Sequence, residues 1–90
     1  MTDVQHDDAA VASLDERARA VLAFESEWPR PSGAKEEAIR AHLDLEPARY
    51  YQLLARLVDD PAAWEHAPML VARLRRLREQ RAAHRARLLR

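Results

Sequence analysis

Six residues between Pro47 and Val58 carry side chains that can contact base pairs. A helix turns about 100° per residue, so residues three and four apart share one face. Arginine can bind guanine edges in a bidentate manner, glutamine can bind adenine, and an alanine methyl can meet a thymine methyl, while tyrosine commonly donates to phosphate. The predicted DNA-contacting residues are Ala48, Arg49, Tyr51, Gln52, Ala55 and Arg56. The alternative is that this face is ordinary solvated surface.

The C-terminal end of the chain forms a second cluster, with eight arginines between positions 73 and 90 and one acidic residue, Glu79. Arginines on most sides of a helix suit contacts with phosphates, which do not depend on base sequence. The predicted phosphate contacts are Arg73, Arg76, Arg78, Arg81, Arg85 and Arg87. Two alternatives stay open: a solvated helix, and a helix that docks against the acidic first helix.

The residue pattern at the N-terminal end predicts a tail followed by a helix. Residues 1–12 are polar, acidic and without periodicity, which is typical of a flexible tail. Ser13 and Glu16 form a capping box, which predicts that a first helix begins at Leu14. Apolar residues then recur at spacings of three and four until the two prolines of WPRPSG end the helix.

Two short helices joined by a tight turn follow. Ser32 and Gly33 can start the first of them, which we expect over about residues 34–42. Asp44 tolerates a left-handed backbone in the turn. A proline fits the first position of the next helix, which is predicted over about Pro47–Val58.

A supporting helix followed by this pair is the plan of a helix-turn-helix domain, whose second helix enters the DNA major groove. Tyr50 and Tyr51 are neighbours, so they cannot share a helical face. Tyr50 falls on the apolar side with Leu53 and Leu54 and is expected to pack inward. Tyr51 is then expected to face outward with the DNA-contacting residues.

The residue pattern after position 58 predicts a short helix and then a long one. Asp60 can cap a helix that begins at Pro61 and holds Trp64. From Met69 onward no residue breaks a helix, so the last helix could run about twenty residues. Trp64 and Trp28 both lie at helix ends, and we expect them to fill corners of the core.

Leucines of the last helix could also form a seam between two copies of the chain. Leu70, Leu74 and Leu77 follow one another at spacings of four and three, and Leu88 continues the pattern. Dimerisation would give a helix-turn-helix protein two half-sites. Two leucine heptads are a short seam, so a homodimer through the C-terminal helix and a monomer both stay open.

The composition indicates one small helical domain. The chain has 90 residues, of which 48% are hydrophobic and 33% charged, with a single glycine. We expect an all-α bundle with a helix-turn-helix and a long basic C-terminal helix. Its parts are the tail (1–12), the helical domain (13–77) and an arginine-rich helical extension (78–90). The charge is asymmetric, because residues 1–45 carry a net −5 and residues 46–90 a net +5.

The sequence does not suggest enzymatic chemistry. It has no cysteine, and its four histidines are isolated, so we expect neither a metal site nor a cofactor. One glycine leaves no loop that could hold a phosphate. No apolar run approaches the roughly 20 residues that span a bilayer, and the N-terminus lacks the features of a signal peptide. We expect a cytoplasmic protein that is not an enzyme and does not contact membranes.

Two longer stretches resemble known families. The segments GAKEEAIRAHLDLEPARYYQLLARLVDDPAA and PMLVARLRRLR resemble a family of short, uncharacterised actinobacterial proteins, a domain of unknown function regarded as helix-turn-helix-like, over about residues 14–80. The stretch EEAIRAHLDLEPARYYQLL is also similar to the DNA-contacting helix pair of bacterial sigma factors. That pattern usually has a small residue, a glycine and a serine where this chain has Arg40, Asp44 and Glu46.

Together these patterns predict a protein that binds double-stranded DNA, as a small transcriptional regulator or a chromosome-associated protein. The alternative is a protein-interaction module that docks on the transcription machinery or on another protein without specific DNA binding. The acidic first half and the basic second half would then offer complementary docking faces.

Overall fold

The computed structural model describes residues 14–89, and this part of the chain is a small all-α bundle, as predicted. Within it lie five helices: α1 (Glu16–Glu27), α2 (Gly33–Leu43), α3 (Pro47–Val58), α4 (Pro61–His66) and α5 (Pro68–Leu88). The predicted acidic tail lies outside the described residues.

The first helix begins two residues later than predicted. Its N-cap is Asp15, whose carboxylate accepts a hydrogen bond from the backbone N–H of Ala18 at 2.7 Å. Aspartate caps a helix as well as serine does, so the start at Leu14 was wrong. Leu14 is instead a buried residue before the helix, and the Arg19 guanidinium donates to its carbonyl at 2.6 Å. Ser13, the predicted cap, lies outside the described residues.

The boundaries of α2 and α3 follow the local signals in the sequence. The Ser32 hydroxyl caps α2 by accepting from the backbone N–H of Lys35 at 3.0 Å. Asp44 ends α2 in the left-handed conformation, with φ 53° and ψ 43°. Its backbone N–H donates to the Arg40 carbonyl at 3.2 Å. The predicted bounds of α3 are confirmed, with Pro47 at its first position.

The third helix lies at the centre of the bundle and packs against the other four. Its inward residues Tyr50, Leu54 and Leu57 meet Val21 of α1 and other apolar side chains in one core. Removing these side chains from water is the main force that holds the helices together. The remaining fully or nearly fully buried residues include Leu22, Phe24, Ala38, Ile39, Leu45, Val58, Ala63, Leu70 and Val71.

The two tryptophans differ in their packing. Trp28 is half-buried and stacks on Phe24, with 5.9 Å between ring centroids. Trp64 is 42% exposed, so the prediction that it fills a corner of the core was wrong. Trp64 lies in a helix of six residues, in which the buried position facing the core is occupied by Ala63. The Trp64 ring is covered on one side by the Arg75 guanidinium, 4.9 Å from its centroid.

The last helix packs along only its first half. Leu70 and Val71 are buried and Leu74 is half-buried, whereas Leu77 is already 37% exposed. Every described residue after Leu77 is exposed, although the helix continues without interruption to Leu88. Packing against the domain therefore ends well before the helix does.

Candidate nucleic-acid interface

The outer side of α3 is a single stripe of exposed residues. Because the inward positions are occupied by Tyr50, Leu54 and Leu57, the residues between them are left in solvent at spacings of three and four. Five of the six predicted DNA-contacting residues share this stripe: Ala48, Arg49, Gln52, Ala55 and Arg56. We call it the α3 stripe. It presents guanidinium, amide and methyl groups to solvent.

Within the α3 stripe, two side chains already contact each other. The Arg49 Nη1 donates to the Gln52 Oε1 at 3.4 Å, across one turn of the helix. This bond is long and lies on the surface, so it does not prevent either side chain from binding another partner.

Tyr51 lies at the border between the α3 stripe and the core. It is half-buried rather than simply facing outward. Its ring meets the Tyr50 ring edge to face, with 5.0 Å between centroids and 83° between planes. The Lys35 Nζ lies 5.4 Å from the Tyr51 ring centroid. The position of Tyr51 therefore depends on residues beneath it.

Those residues form a buried polar cluster, which consists of Glu25 of α1, Lys35 of α2 and Tyr50 of α3. The Glu25 Oε1 accepts from the Lys35 Nζ at 2.7 Å and from the Tyr50 hydroxyl at 2.5 Å. Tyr50 is fully buried, and this burial, reinforced by the hydrogen bond to Glu25, raises the pKa of Tyr50 above its usual range. The hydroxyl therefore remains a donor at every physiological pH.

Sequence patterns missed two members of this cluster. Helical periodicity assigns charged residues such as Glu25 and Lys35 to solvent, because charged side chains are almost never buried unless they are paired. The two partners stand ten residues apart on different helices, on either side of WPRPSG. One signal was available: Lys35 is the only lysine in a chain with fourteen arginines.

Negative charge surrounds the start of α3. Asp44 and Glu46 are both exposed there, and the Arg40 Nε lies 3.5 Å from the Glu46 Oε1 in a surface ion pair. Glu46, the N-cap of α3, is favourable near the positive end of the helix dipole, whereas Asp44 lies at the C-terminal end of α2. Both residues repel phosphate, so this end of α3 weakens rather than strengthens attraction to a nucleic acid.

Two arginines of α5 tie that helix to the C-terminal end of α3. Arg78 binds Asp59 with both terminal nitrogens, at 2.9 and 3.1 Å. The Arg75 Nε donates to the Val58 carbonyl at 3.1 Å. The hydrogen bond from Arg78 lowers the pKa of Asp59 and raises the pKa of Arg78 itself. The ion pair of α5 is thus formed with the end of α3, not with the first helix.

The predicted phosphate contacts are not equivalent. Arg78 is paired with Asp59, and Arg73 is half-buried. The Arg73 Nη2 has no hydrogen-bond partner in the described part of the chain. The other four are exposed and form no ion pair within residues 14–89; they are Arg76, Arg81, Arg85 and Arg87.

One face of α5 continues from the end of the α3 stripe. Arg81 and Arg85 follow Arg78 by three and seven residues, so the three guanidinium groups lie along the same side of the helix. Arg78 is bound to Asp59, the residue that follows the last turn of α3. We call these three residues the α5 arginine row. It extends away from the domain, starting beside α3.

The four leucines of the predicted dimer seam differ in their burial. Leu70 is buried and Leu74 half-buried against the core of their own chain. Leu77 is 37% exposed and Leu88 is 69% exposed. A second copy of the chain would therefore meet only the last two of the four leucines.

Among residues 14–89, no group of three histidine, cysteine, aspartate or glutamate side chains is placed to hold a metal ion. None of the helices in this range is long and apolar enough to cross a membrane.

These features define a small all-α domain with a central helix, one exposed polar stripe and a projecting basic helix. Residues 13–86 match the family described as Protein of unknown function (DUF3263), and the chain belongs to that family. The match agrees with the predicted resemblance to an uncharacterised family. No curated protein and no solved structure matches the chain significantly.

Proposed function

We propose that this protein binds double-stranded DNA, as a small transcriptional regulator or chromosome-associated protein, with α2 and α3 acting as a helix-turn-helix. In this role α3 lies in the major groove, where Arg49, Gln52 and Arg56 contact base edges and Tyr51 donates to a phosphate. The observation that carries the proposal is the α3 stripe itself. It combines base-contacting side chains on one side of a helix whose other side is held by the core.

The charge of the helix pair indicates that α3 does not bind alone. The exposed charges of α2, the turn and α3 sum to −1, since Lys35 is buried against Glu25. The acidic ones are Glu36, Glu37, Asp44 and Glu46, and the basic ones are Arg40, Arg49 and Arg56. Attraction to DNA depends mainly on phosphate neutralisation. The arginines of α5 must supply it.

The α5 arginine row suits this task. Its seven-residue length corresponds to about 10 Å along the helix axis, and it begins beside the end of α3. Arg81 and Arg85 are exposed there. With α3 in the groove, they lie toward the neighbouring backbone phosphates, which gives affinity without sequence preference.

An in vitro selection tests sequence-specific binding directly. Purified full-length protein is mixed with fragmented genomic DNA from its own source at about 150 mM salt, which suppresses binding through phosphates alone. Recovery of a common motif supports the proposal. Recovery of nothing, or of all fragments equally, overturns binding through the α3 stripe.

Variants then test the division of roles between the two helices. Gln52→Ala should change the sequence preference, because it removes a base-edge contact. The double variant Arg85→Gln/Arg87→Gln should weaken binding to all sequences and reduce the slope of log affinity against log salt by about 0.9 for each lost phosphate contact. Arg17→Gln/Arg30→Gln is the matched control, with the same change in charge at two exposed positions outside α3 and α5. Identical behaviour of the two test variants would contradict this division.

The acidic residues at the start of α3 favour a second candidate, a protein partner in place of DNA. Acidic Asp44 and Glu46 at one end of α3 and the basic helix α5 bound at its other end give the surface charges of both signs, which suits docking on a protein. Co-purification from nuclease-treated cell extract separates the candidates. A defined partner retained after DNA removal, with no motif from the selection, would favour the interaction module.

A further inference from the structure

The buried polar cluster has an unusual composition for a chain in which arginine supplies nearly all positive charge. Its cation is the only lysine, which is 1% exposed, and its anion, Glu25, is 4% exposed. A buried ion pair gains little stability over apolar side chains of similar size, because both charges must leave water. The cluster therefore needs an explanation other than stability.

In this cluster, side chains from three helices meet at one atom, the Glu25 Oε1. The Glu25 Oε1 on α1 accepts from Lys35 on α2 and from Tyr50 on α3, at 2.7 and 2.5 Å. Hydrogen bonds of this length are directional, and in a low-dielectric interior they are stronger than in water. The cluster thus fixes how far α2 and α3 can slide or rotate against α1, which apolar packing alone specifies less strictly.

The cluster also reaches the surface through Tyr51. The Lys35 Nζ lies 5.4 Å from the Tyr51 ring centroid, within the range of a cation–π contact, and 5.7 Å from the Tyr50 ring centroid. The Tyr50 ring supports Tyr51 edge to face. Tyr51 is therefore the one predicted DNA-contacting residue whose ring lies against a buried charge.

We propose that Lys35 is a positioning residue, which holds Tyr51 and through it the orientation of the α3 stripe toward its ligand. The functional consequence of this inference rests on the proposed DNA binding. The positioning of Tyr51 by Lys35 is independent of that proposal. Lys35 itself touches no DNA, because it is buried beneath the tyrosine rings.

The test replaces the cluster with apolar groups of similar volume, so that no polar atom is left without a partner. The variant is Glu25→Leu/Lys35→Met/Tyr50→Phe, and circular dichroism checks that it keeps its helices. In the free protein, the three-bond NMR couplings across the Tyr51 Cα–Cβ bond should change from values typical of a single side-chain rotamer to values averaged over several rotamers. Unchanged couplings would overturn the proposal, whatever the protein binds.

The functional consequence is measured with a double-mutant cycle. The apolar variant should lose about tenfold in affinity for the selected DNA motif, near the low end of what one hydrogen bond to a charged phosphate contributes. The same replacement in a Tyr51→Leu background should cause almost no further loss, because Lys35 acts through the ring that is now missing. Additive losses in the two backgrounds would show that the cluster supports the fold generally and would overturn the role of Lys35.

The two failures can be distinguished. If the Tyr51 couplings change but the unaltered protein selects no motif, the proposed function fails and the positioning of Tyr51 by Lys35 is supported. If the protein selects a motif and the Tyr51 couplings do not change, DNA binding is supported and the inference about Lys35 fails.

Discussion

The α3 stripe and the distal half of α5 both expose arginine, but the two surfaces are supported in opposite ways. Beneath the α3 stripe lie Tyr50, Leu54 and the buried polar cluster, which fix the helix against its neighbours. Beyond Arg78, every described residue of α5 is exposed. The first surface is held by the core and belongs to a helix pair whose exposed charges nearly cancel, whereas the second projects from the domain and is strongly basic.

This difference corresponds to two physical tasks. Contact with base edges requires side chains held in a defined register, since hydrogen bonds to bases depend on direction. Attraction to phosphates requires charge within reach and little else. If the protein binds DNA as proposed, α3 supplies specificity and α5 supplies most of the affinity, and the Asp59–Arg78 pair joins the two.

The largest expected effect comes from breaking the support of α3. Lys35→Met alone should lower the free energy of unfolding by about 3–5 kcal/mol, because it leaves the Glu25 carboxylate buried without its cation. Denaturant titration followed by circular dichroism measures the change. Adding Glu25→Leu to Lys35→Met should restore most of it, and Arg17→Met on exposed surface is the control. A loss below about 0.5 kcal/mol, the usual range for a surface change, would show that the pair is not buried as described.

A pair of apolar truncations compares the two regions directly. Ile39→Ala, at a fully buried position under α3, should cost about 2–5 kcal/mol. Leu88→Ala, on the exposed part of α5, should stay within about 0.5 kcal/mol. Both are measured by thermal unfolding at several protein concentrations. A clear loss for Leu88→Ala that depends on concentration would indicate a dimer through the C-terminal helix and remove the contrast between the two regions.

The turn before α3 offers a smaller effect of opposite sign. Asp44 has φ 53°, where glycine is favoured over residues with a Cβ, so Asp44→Gly should raise the free energy of unfolding by about 0.5–1 kcal/mol. Asp44→Asn tolerates the same conformation and removes only the charge, so it should not stabilise the fold. Both variants should bind DNA more tightly than the parent if phosphate repulsion operates at this end of α3. Gel-shift titration measures this, and an increase for glycine alone would contradict the charge explanation.

The smallest effect concerns the link between α3 and α5. Because Arg78 lowers the pKa of Asp59 in the folded protein, the pair stabilises the fold above the ordinary aspartate pKa of 3.8. This contribution disappears as the pH falls through the lowered value. Asp59→Asn should therefore melt slightly below the parent at pH 7, and the two melting curves should converge in acid. A difference that grows in acid, or one that survives high salt unchanged, would contradict the ion pair as its source.

Much of the fold could be predicted because its boundaries are set by local chemistry. Pro47 marks the start of α3, Asp60 and Pro61 mark its end by starting the next helix, and Asp44 marks the turn before α3. The inward position of Tyr50 follows from helical periodicity alone. These signals depend on residues close together in sequence, which is why they are legible without a structure.

The errors arise where distant or competing contacts decide. The pairing of Glu25 with Lys35 joins two helices, and no local pattern indicates it. Trp64 lies in a helix too short to bury it once Ala63 has taken the inward position. The start of α1 was misplaced because Asp15 competes with the serine two residues earlier as a cap. The exposure of the five residues of the α3 stripe could be predicted from helical periodicity. The packing of Tyr51 against Tyr50 and Lys35 could not.

The burial of the only lysine also decides how this surface can be regulated. Within residues 14–89, every exposed side chain with a permanent positive charge is an arginine, and guanidinium groups stay protonated at any physiological pH. Lysine acetylation, which cells use to switch off basic surfaces, has no exposed target side chain in this range. Lysine acetylation therefore cannot remove the positive charge of α5, which its arginines supply.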